Sequence, residues 1–214
     1  MAYFAAKTTR AAALGKFLLP TRLVFATRGL ATRSKSYTLN TGAEIPALGF
    51  GTFQDPDSQE ETVSLALRKG MRLIDTAHVY NVEEQVGKGI KKSGIPREDI
   101  FVGTKLWCND YHPEDVERAV DDSLRDLDTA YVDLLLMHYP CTFKRGADRF
   151  PRDAEGRMIR GETTFVDTWK AMEDVVKTGK VKAIGVSNFS KGEIETLLKK
   201  TGTVSDPPAI EKWN

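Results

Sequence analysis

The first 43 residues contain no aspartate or glutamate; the first acid is Glu44. The same stretch carries seven basic residues, Lys7, Arg10, Lys16, Arg22, Arg28, Arg33 and Lys35, with serine, threonine and alanine between them. The whole chain carries +1, so setting these seven aside leaves −6 on the remainder. A mildly acidic remainder lacks the basic footprint that nucleic-acid binding needs. No window approaches the ~18 apolar residues of a membrane span. There are two cysteines, Cys108 and Cys141. Their separation matches no zinc or redox spacing, so free thiols in a reducing setting are expected. One glycine is also missing: Gly49-Phe50-Gly51 runs into Thr52-Phe53-Gln54, without the third glycine of a dinucleotide-binding turn.

An acid-free, arginine-rich and hydroxyl-rich start has the composition of a mitochondrial transit peptide. MAYFAAKTTRAAALGKFLLP has the pattern of a basic amphipathic helix, and Arg28-Gly29-Leu30-Ala31 resembles a matrix-peptidase cleavage site. The alternatives are a disordered basic tail or a spurious upstream start codon, with a cytoplasmic protein. The expected division is a leader at 1–35 and a globular part at 36–214.

Beyond residue 36 the pattern alternates. LGFGTF (48–53), MRLID (71–75), DIFVGTKLW (99–107), YVDLLLMHYP (131–140) and KVKAIGVSNF (180–189) read as strands, and AIEKW (209–213) as the start of a sixth. The fourth is apolar throughout, as buried parallel strands are. Helices are expected at 58–70, 83–94, 112–128, 163–179 and 190–202. Ser58 with Glu61, and Ser190 with Glu193, read as capping boxes. Gly70 and Gly94 read as helix stops, and Pro113 as a first helical residue. Val116, Val120, Leu124 and Leu127 form one apolar stripe. Phe165, Trp169, Met172 and Val176 form another. The polar segment from Cys141 to about Gly161 is long for a connection, and such loops are uncommon unless functional. Alternation at about 30 residues per unit implies a parallel sheet with right-handed crossovers. A doubly wound sheet and a (β/α)8 barrel compete. The barrel needs no glycine-rich loop and gathers its chemistry at the C-terminal strand ends.

Those ends are polar. The second strand ends at Asp75, with Tyr80 beyond it; the third at Thr104-Lys105; the fourth at His138; the fifth at Ser187-Asn188. Parallel strands bring an acid, a phenol, an amine and an imidazole to one rim. This set suits acid-assisted carbonyl reduction. A nearby cation favours the phenolate of Tyr80 and eases proton donation near neutral pH. Lys105 is the candidate cation, Asp75 its anchor, and His138 the group that orients the substrate oxygen. No side chain delivers hydride, so a nicotinamide cofactor is implied.

The stretches LGFGTF, GMRLIDTAHVY with EEQVG, FVGTKLWC, YVDLLLMHYP and DTWKAMEDVVKTGKVKAIGVSNF resemble the aldo-keto reductase family over roughly residues 37 to 210. The resemblance implies a (β/α)8 barrel that reduces aldehydes and ketones to alcohols with NADPH, as a monomer when complete. Its catalytic tetrad falls on Asp75, Tyr80, Lys105 and His138. Cofactor contacts fall on Gly51, Thr52, Phe53 and Asp75, and on Ser187 and Asn188 at the carboxamide. Trp107, Phe53 and His138 fall at the substrate pocket. No metal is implied.

The chain departs from the pattern at Met71, Val82, Phe53 and Tyr139, where an aromatic, an asparagine and two tryptophans are usual. Lys212 stands near a glutamine position, and Asn214 closes the sequence after about six of eight βα units. The implied C-terminal cofactor-gripping segments have no counterpart, so weak or absent activity is expected of this polypeptide. A non-catalytic NADP(H)-binding or regulatory subunit of the same fold is the alternative. Short-chain dehydrogenase chemistry is disfavoured, because it needs its tyrosine and lysine four residues apart on one helix.

Overall fold

Short strands buried on both faces at the centre of the sheet set the architecture. The computed structural model describes residues 35–53, 55–201 and 209–211. The expected leader, save Lys35, and Lys212 lie outside them. The described residues belong to one unit by their contacts. An antiparallel hairpin comes first, β1 (Ser36–Thr38) and β2 (Glu44–Pro46). Six parallel strands follow: β3 (Gly49–Gly51), β4 (Leu73–Asp75), β5 (Phe101–Leu106), β6 (Leu134–Met137), β7 (Ile184–Ser187) and β8 (Ala209–Glu211). Between them run α1 (Gln59–Arg68), α2 (Glu83–Ser93), α3 (Pro113–Leu127), α4 (Phe165–Lys177) and α5 (Lys191–Thr201).

The strands stand in the order β3-β4-β5-β6-β7-β8, each beside its neighbour in the chain. A doubly wound sheet reverses its order at a switch point. This succession has no reversal and is that of a (β/α)8 barrel, six adjacent strands of it among the described residues. Each strand is shorter than its apolar run. Arg72, Trp107 and Tyr139 flank β4, β5 and β6 without continuing them.

Side chains alternate between two faces along a strand. One set packs outward under the helices: Ile74, Val102, Leu106, Leu135, Met137 and Val186, with Val63 and Leu67 of α1 and Val116, Val120 and Leu124 of α3. Each such burial contributes about 1.5–3 kcal/mol. The stripes expected on α3 and α4 therefore face the sheet, Trp169 and Met172 fully so. The other set, Leu73, Phe101, Leu134, Leu136 and Ala183, faces the barrel interior and meets Leu39 and Ile45 of the hairpin segment. The hairpin thus covers the bottom of the arc. Its three-residue strands are exposed or half-buried, which is why no strand signal marks them in the sequence.

One cap differs from expectation. Ser58 sits in a helical conformation with no side-chain capping bond. Its hydroxyl donates to Asp55 Oδ2 at 2.6 Å, and Glu61 pairs with Lys92 instead. Asp55 at φ 55° wins the hydroxyl by proximity. The Ser190–Glu193 box does form, the Ser190 amide donating to Glu193 Oε2 at 2.7 Å. Thr164 and Asp167 form a further box at the start of α4. Gly94, at φ 71°, closes α2 in the left-handed region. Among the described residues no helix is long and apolar enough to cross a membrane.

Gly87 lies mid-helix in α2, where alanine ordinarily gains about 1 kcal/mol over glycine. Here a Cβ would fall 2.7 Å from the carbonyl carbon of Leu127, at the end of α3. Backbone cannot yield as a flexible side chain can, and overpacking costs about 1–3 kcal/mol. Gly87→Ala is therefore expected to lower stability by about 1 kcal/mol or more in urea denaturation. A stabilised variant would contradict this close approach of α2 to α3.

Candidate active site

The interior-facing parity that buries Leu73, Phe101 and Leu134 continues up each strand. Two residues beyond Leu73 comes Asp75; four beyond Phe101 comes Lys105; four beyond Leu134 comes His138. Ser187 follows Ala183 by the same count. Alternation alone therefore aims all four into the barrel at its C-terminal rim.

Lys105 is almost fully buried, 3% exposed. Its ammonium donates to both oxygens of Asp75 at 2.7 Å and to the backbone oxygen of Thr76 at 3.0 Å. Burial pushes the Asp75 carboxyl above its ordinary value, and the Lys105 charge opposes that push. Tyr80 sits in a 3-10 turn, His78–Tyr80, directly beyond β4. The Lys105 ammonium lies 5.2 Å from the centre of its ring. His138 meets Tyr80 edge-on, with ring centres 5.6 Å apart, and meets Trp107 likewise at 5.2 Å. Its Nδ1 is buried with no hydrogen-bond partner among the described residues. Burial, then the Lys105 charge, pulls its pKa down to about 4, so the ring is neutral at neutral pH. The residues expected to form a tetrad are one connected cluster.

The other expected positions surround it. Thr52 is buried; its backbone N–H donates to the Asp75 carbonyl at 3.0 Å. Gly51 pairs in register with Asp75. Phe53 is 65% exposed and lays its ring 5.0 Å from that of Tyr80. Trp107 is buried among His138, Tyr139, Phe143 and Phe150. Asn188 adopts φ 61° and donates from Nδ2 to the His138 carbonyl at 2.8 Å and to Ser187 Oγ at 3.1 Å. That leaves the Asn188 side-chain oxygen to accept and the Ser187 hydroxyl to donate. This pairing is complementary to a carboxamide, so the residues present fit the amide end of a nicotinamide.

Three supports carry no sequence signal of their own. Tyr111 is fully buried, and burial drives its phenol well above its ordinary pKa. Its hydroxyl donates to the Tyr139 carbonyl at 2.8 Å and accepts from the Tyr139 N–H at 3.1 Å, fixing the backbone next to His138. Buried Glu83 accepts from Thr104, beside Lys105, at 2.6 Å. Cys108 and Cys141 are free thiols as expected, but their sulfurs lie 3.9 Å apart. Helical and strand periodicities report which face a residue takes, not which partner it meets across the fold.

Residues 46–210 match the Aldo/keto reductase family, and the chain belongs to that family. It is 46% identical over 175 residues to aldo-keto reductase family 1 member A1 of Xenopus tropicalis, covering 79% of this chain and 54% of that protein. It is 44% identical over 185 residues to the glycerol 2-dehydrogenase (NADP(+)) of Saccharomyces cerevisiae, covering 82% and 59%. The solved aldose reductase of Schistosoma japonicum matches with a TM-score of 0.75 at 38% identity, over 77% of this chain and 56% of that one. The chain spans about half the length of the curated relatives it matches.

A histidine whose folded pKa lies below its unfolded value stabilises the fold while neutral. That contribution is whole above about pH 6.5 and is lost as pH falls towards about 4. A raised carboxyl runs the opposite way, so acidification relieves the burial of Asp75. In histidine-detected NMR, the signal missing from His138→Gln is expected to titrate near pH 4 in the wild type. A midpoint near 6.5 would mean that the ring is not buried beside Lys105.

Proposed function

We propose that this protein reduces aldehydes or ketones to alcohols with NADP(H). The observation that carries the reading is the Asp75–Lys105–Tyr80–His138 cluster on the interior face of successive strand ends. In this reading Tyr80 gives its proton to the carbonyl oxygen. The Lys105 ammonium beside its ring stabilises the phenolate that remains. Asp75 holds that ammonium charged in a buried position. Neutral His138, edge-on to Tyr80, orients the oxygen without competing as a cation. Trp107 and Phe53 wall the carbonyl, and Trp107 keeps water from one side. Ser187 and Asn188 hold the carboxamide, and Gly51 and Thr52 face the same rim. A bound nicotinamide supplies the hydride that no side chain can. A relative named for NADP(+) supports the choice of cofactor.

Purified protein is expected to oxidise NADPH only weakly in the presence of a simple aldehyde. Tyr80→Phe removes the proton donor and is expected to lower kcat by about 10²–10⁴-fold with little change in NADPH affinity. Unchanged turnover in that variant would sink the role of Tyr80. NADPH binding with no turnover in the wild type would replace this reading with a non-catalytic, cofactor-binding subunit.

The acid-free leader, outside the described residues, is proposed to address the chain to mitochondria. A reporter carrying residues 1–35 is expected to be imported by isolated mitochondria and shortened. Exclusion from the organelle would leave the cytoplasmic alternative.

A further inference from the structure

The segment between β6 and α4 packs beside the cluster, its Phe143 and Phe150 against Trp107, and is stitched down at several points. Its Phe143 N–H donates to the Cys108 carbonyl at 3.0 Å, and Asn109 Nδ2 donates to the Gly146 carbonyl at 2.8 Å. Those bonds hold its near end to the strand-end turns. Arg145 ties it to Asp115 and Glu114 of α3, and Arg149 joins it to Trp107 and to the turn bearing His78 and Asn81.

The Arg149 carbonyl accepts from Trp107 Nε1 at 2.8 Å, so its backbone fixes the tilt of the indole beside His138. Its guanidinium turns the other way. Nη1 donates to Asn81 Oδ1, and Nη2 bonds His78 Nε2 at 2.9 Å. His78 and Tyr80 share one 3-10 turn, and Asn81 ends it in the left-handed region. Arginine only donates, so His78 must accept at Nε2 and carry its proton on Nδ1. That proton points at Glu83 Oε2, 3.1 Å away. Glu83 is itself 3% exposed and fixed by Thr104 at 2.6 Å and Ser123 at 3.1 Å. The chain of bonds therefore runs from the loop, through the tyrosine's own turn, to a buried anchor behind β5.

We propose that Arg149 is a positioning residue that bolts the β6–α4 loop to the turn bearing Tyr80 and to the Trp107 wall, setting the aim of the proton donor and the shape of the substrate wall together. This rests on the carbonyl-reduction reading for its catalytic consequence, but not for its geometry. A planar fork is needed: the two acceptors, on Asn81 and His78, are met by separate nitrogens of one guanidinium. A lysine at this place has one nitrogen for both.

Arg149→Ala in the full chain is expected to lower kcat/KM for an aldehyde about 10–100-fold, since a misplacement of ~1 Å has effects of that size. Loss of proton-donor aim lowers kcat, and loosening of the wall raises KM. The distinguishing measurement is the same substitution in a Tyr80→Phe background. A residue that acts through Tyr80 then has little further effect on kcat, whereas general loosening multiplies the two losses. An unchanged kcat/KM, or fully multiplicative losses, would overturn the proposal. If the wild type shows no turnover, the carbonyl-reduction reading falls, and hydrogen exchange decides the geometry. Faster exchange in both 141–161 and 77–82 of Arg149→Ala supports the bolt. A change confined to 141–161 overturns it.

Discussion

The site depends on a buried ion pair. Asp75 and Lys105 stand on adjacent strands, and the ammonium bridges both carboxylate oxygens at 2.7 Å. Such pairs are poor sources of stability, because desolvation offsets most of the attraction. Removing one partner is worse, costing about 3–5 kcal/mol, since the other is left charged and buried. The arrangement is therefore best understood as holding a cation where Tyr80 and His138 feel it. Its effects are visible on both neighbours: the ammonium lies over the phenol ring, and its charge adds to burial in keeping His138 neutral. Three backbone elements must be in place for this, β4, β5 and the turn at Thr76 that gives Lys105 its third acceptor.

Most of this was legible in the sequence because it follows from one rule. In a parallel sheet every strand points its C-terminal end the same way, and every second side chain faces inward. Reading Asp75, Lys105, His138 and Ser187 as strand-end residues was enough to bring them to one rim. Tyr80 follows Asp75 so closely that it must lie near the same rim. The stripes of α3 and α4 were readable for the related reason that helical periodicity reports a buried face.

What was not legible depends on contacts between distant segments. The β1–β2 hairpin is polar and short, and its value lies in Leu39 and Ile45 closing on the interior face. Ser58 had the composition of a cap but met Asp55 first. The two thiols, 33 positions apart, reach 3.9 Å because Cys108 follows β5 and Cys141 follows β6, and those strands are neighbours. Arg149 looks in the sequence like any charge in a polar loop. Only the fold shows that its backbone and its guanidinium serve opposite sides of the same cluster.

The unreversed strand order has a consequence for how the molecule comes into being. Gly49 pairs with Leu73, Leu73 with Phe101, and Gly103 with Leu134, so each new strand docks on the one made just before it. Each pairing closes a crossover that includes a helix, so parallel pairing carries a loop-entropy cost, but in this order no strand has to wait for a later one to be inserted beside it. The sheet can therefore grow during synthesis in the order of translation, one strand and helix at a time. Both members of the Asp75–Lys105 pair lie in the first three strands of the sheet, whereas His138, Arg149 and Ser187 come from later segments. The charge at the centre of the site is thus encoded by the first half of the sheet, and the residues around it by the second.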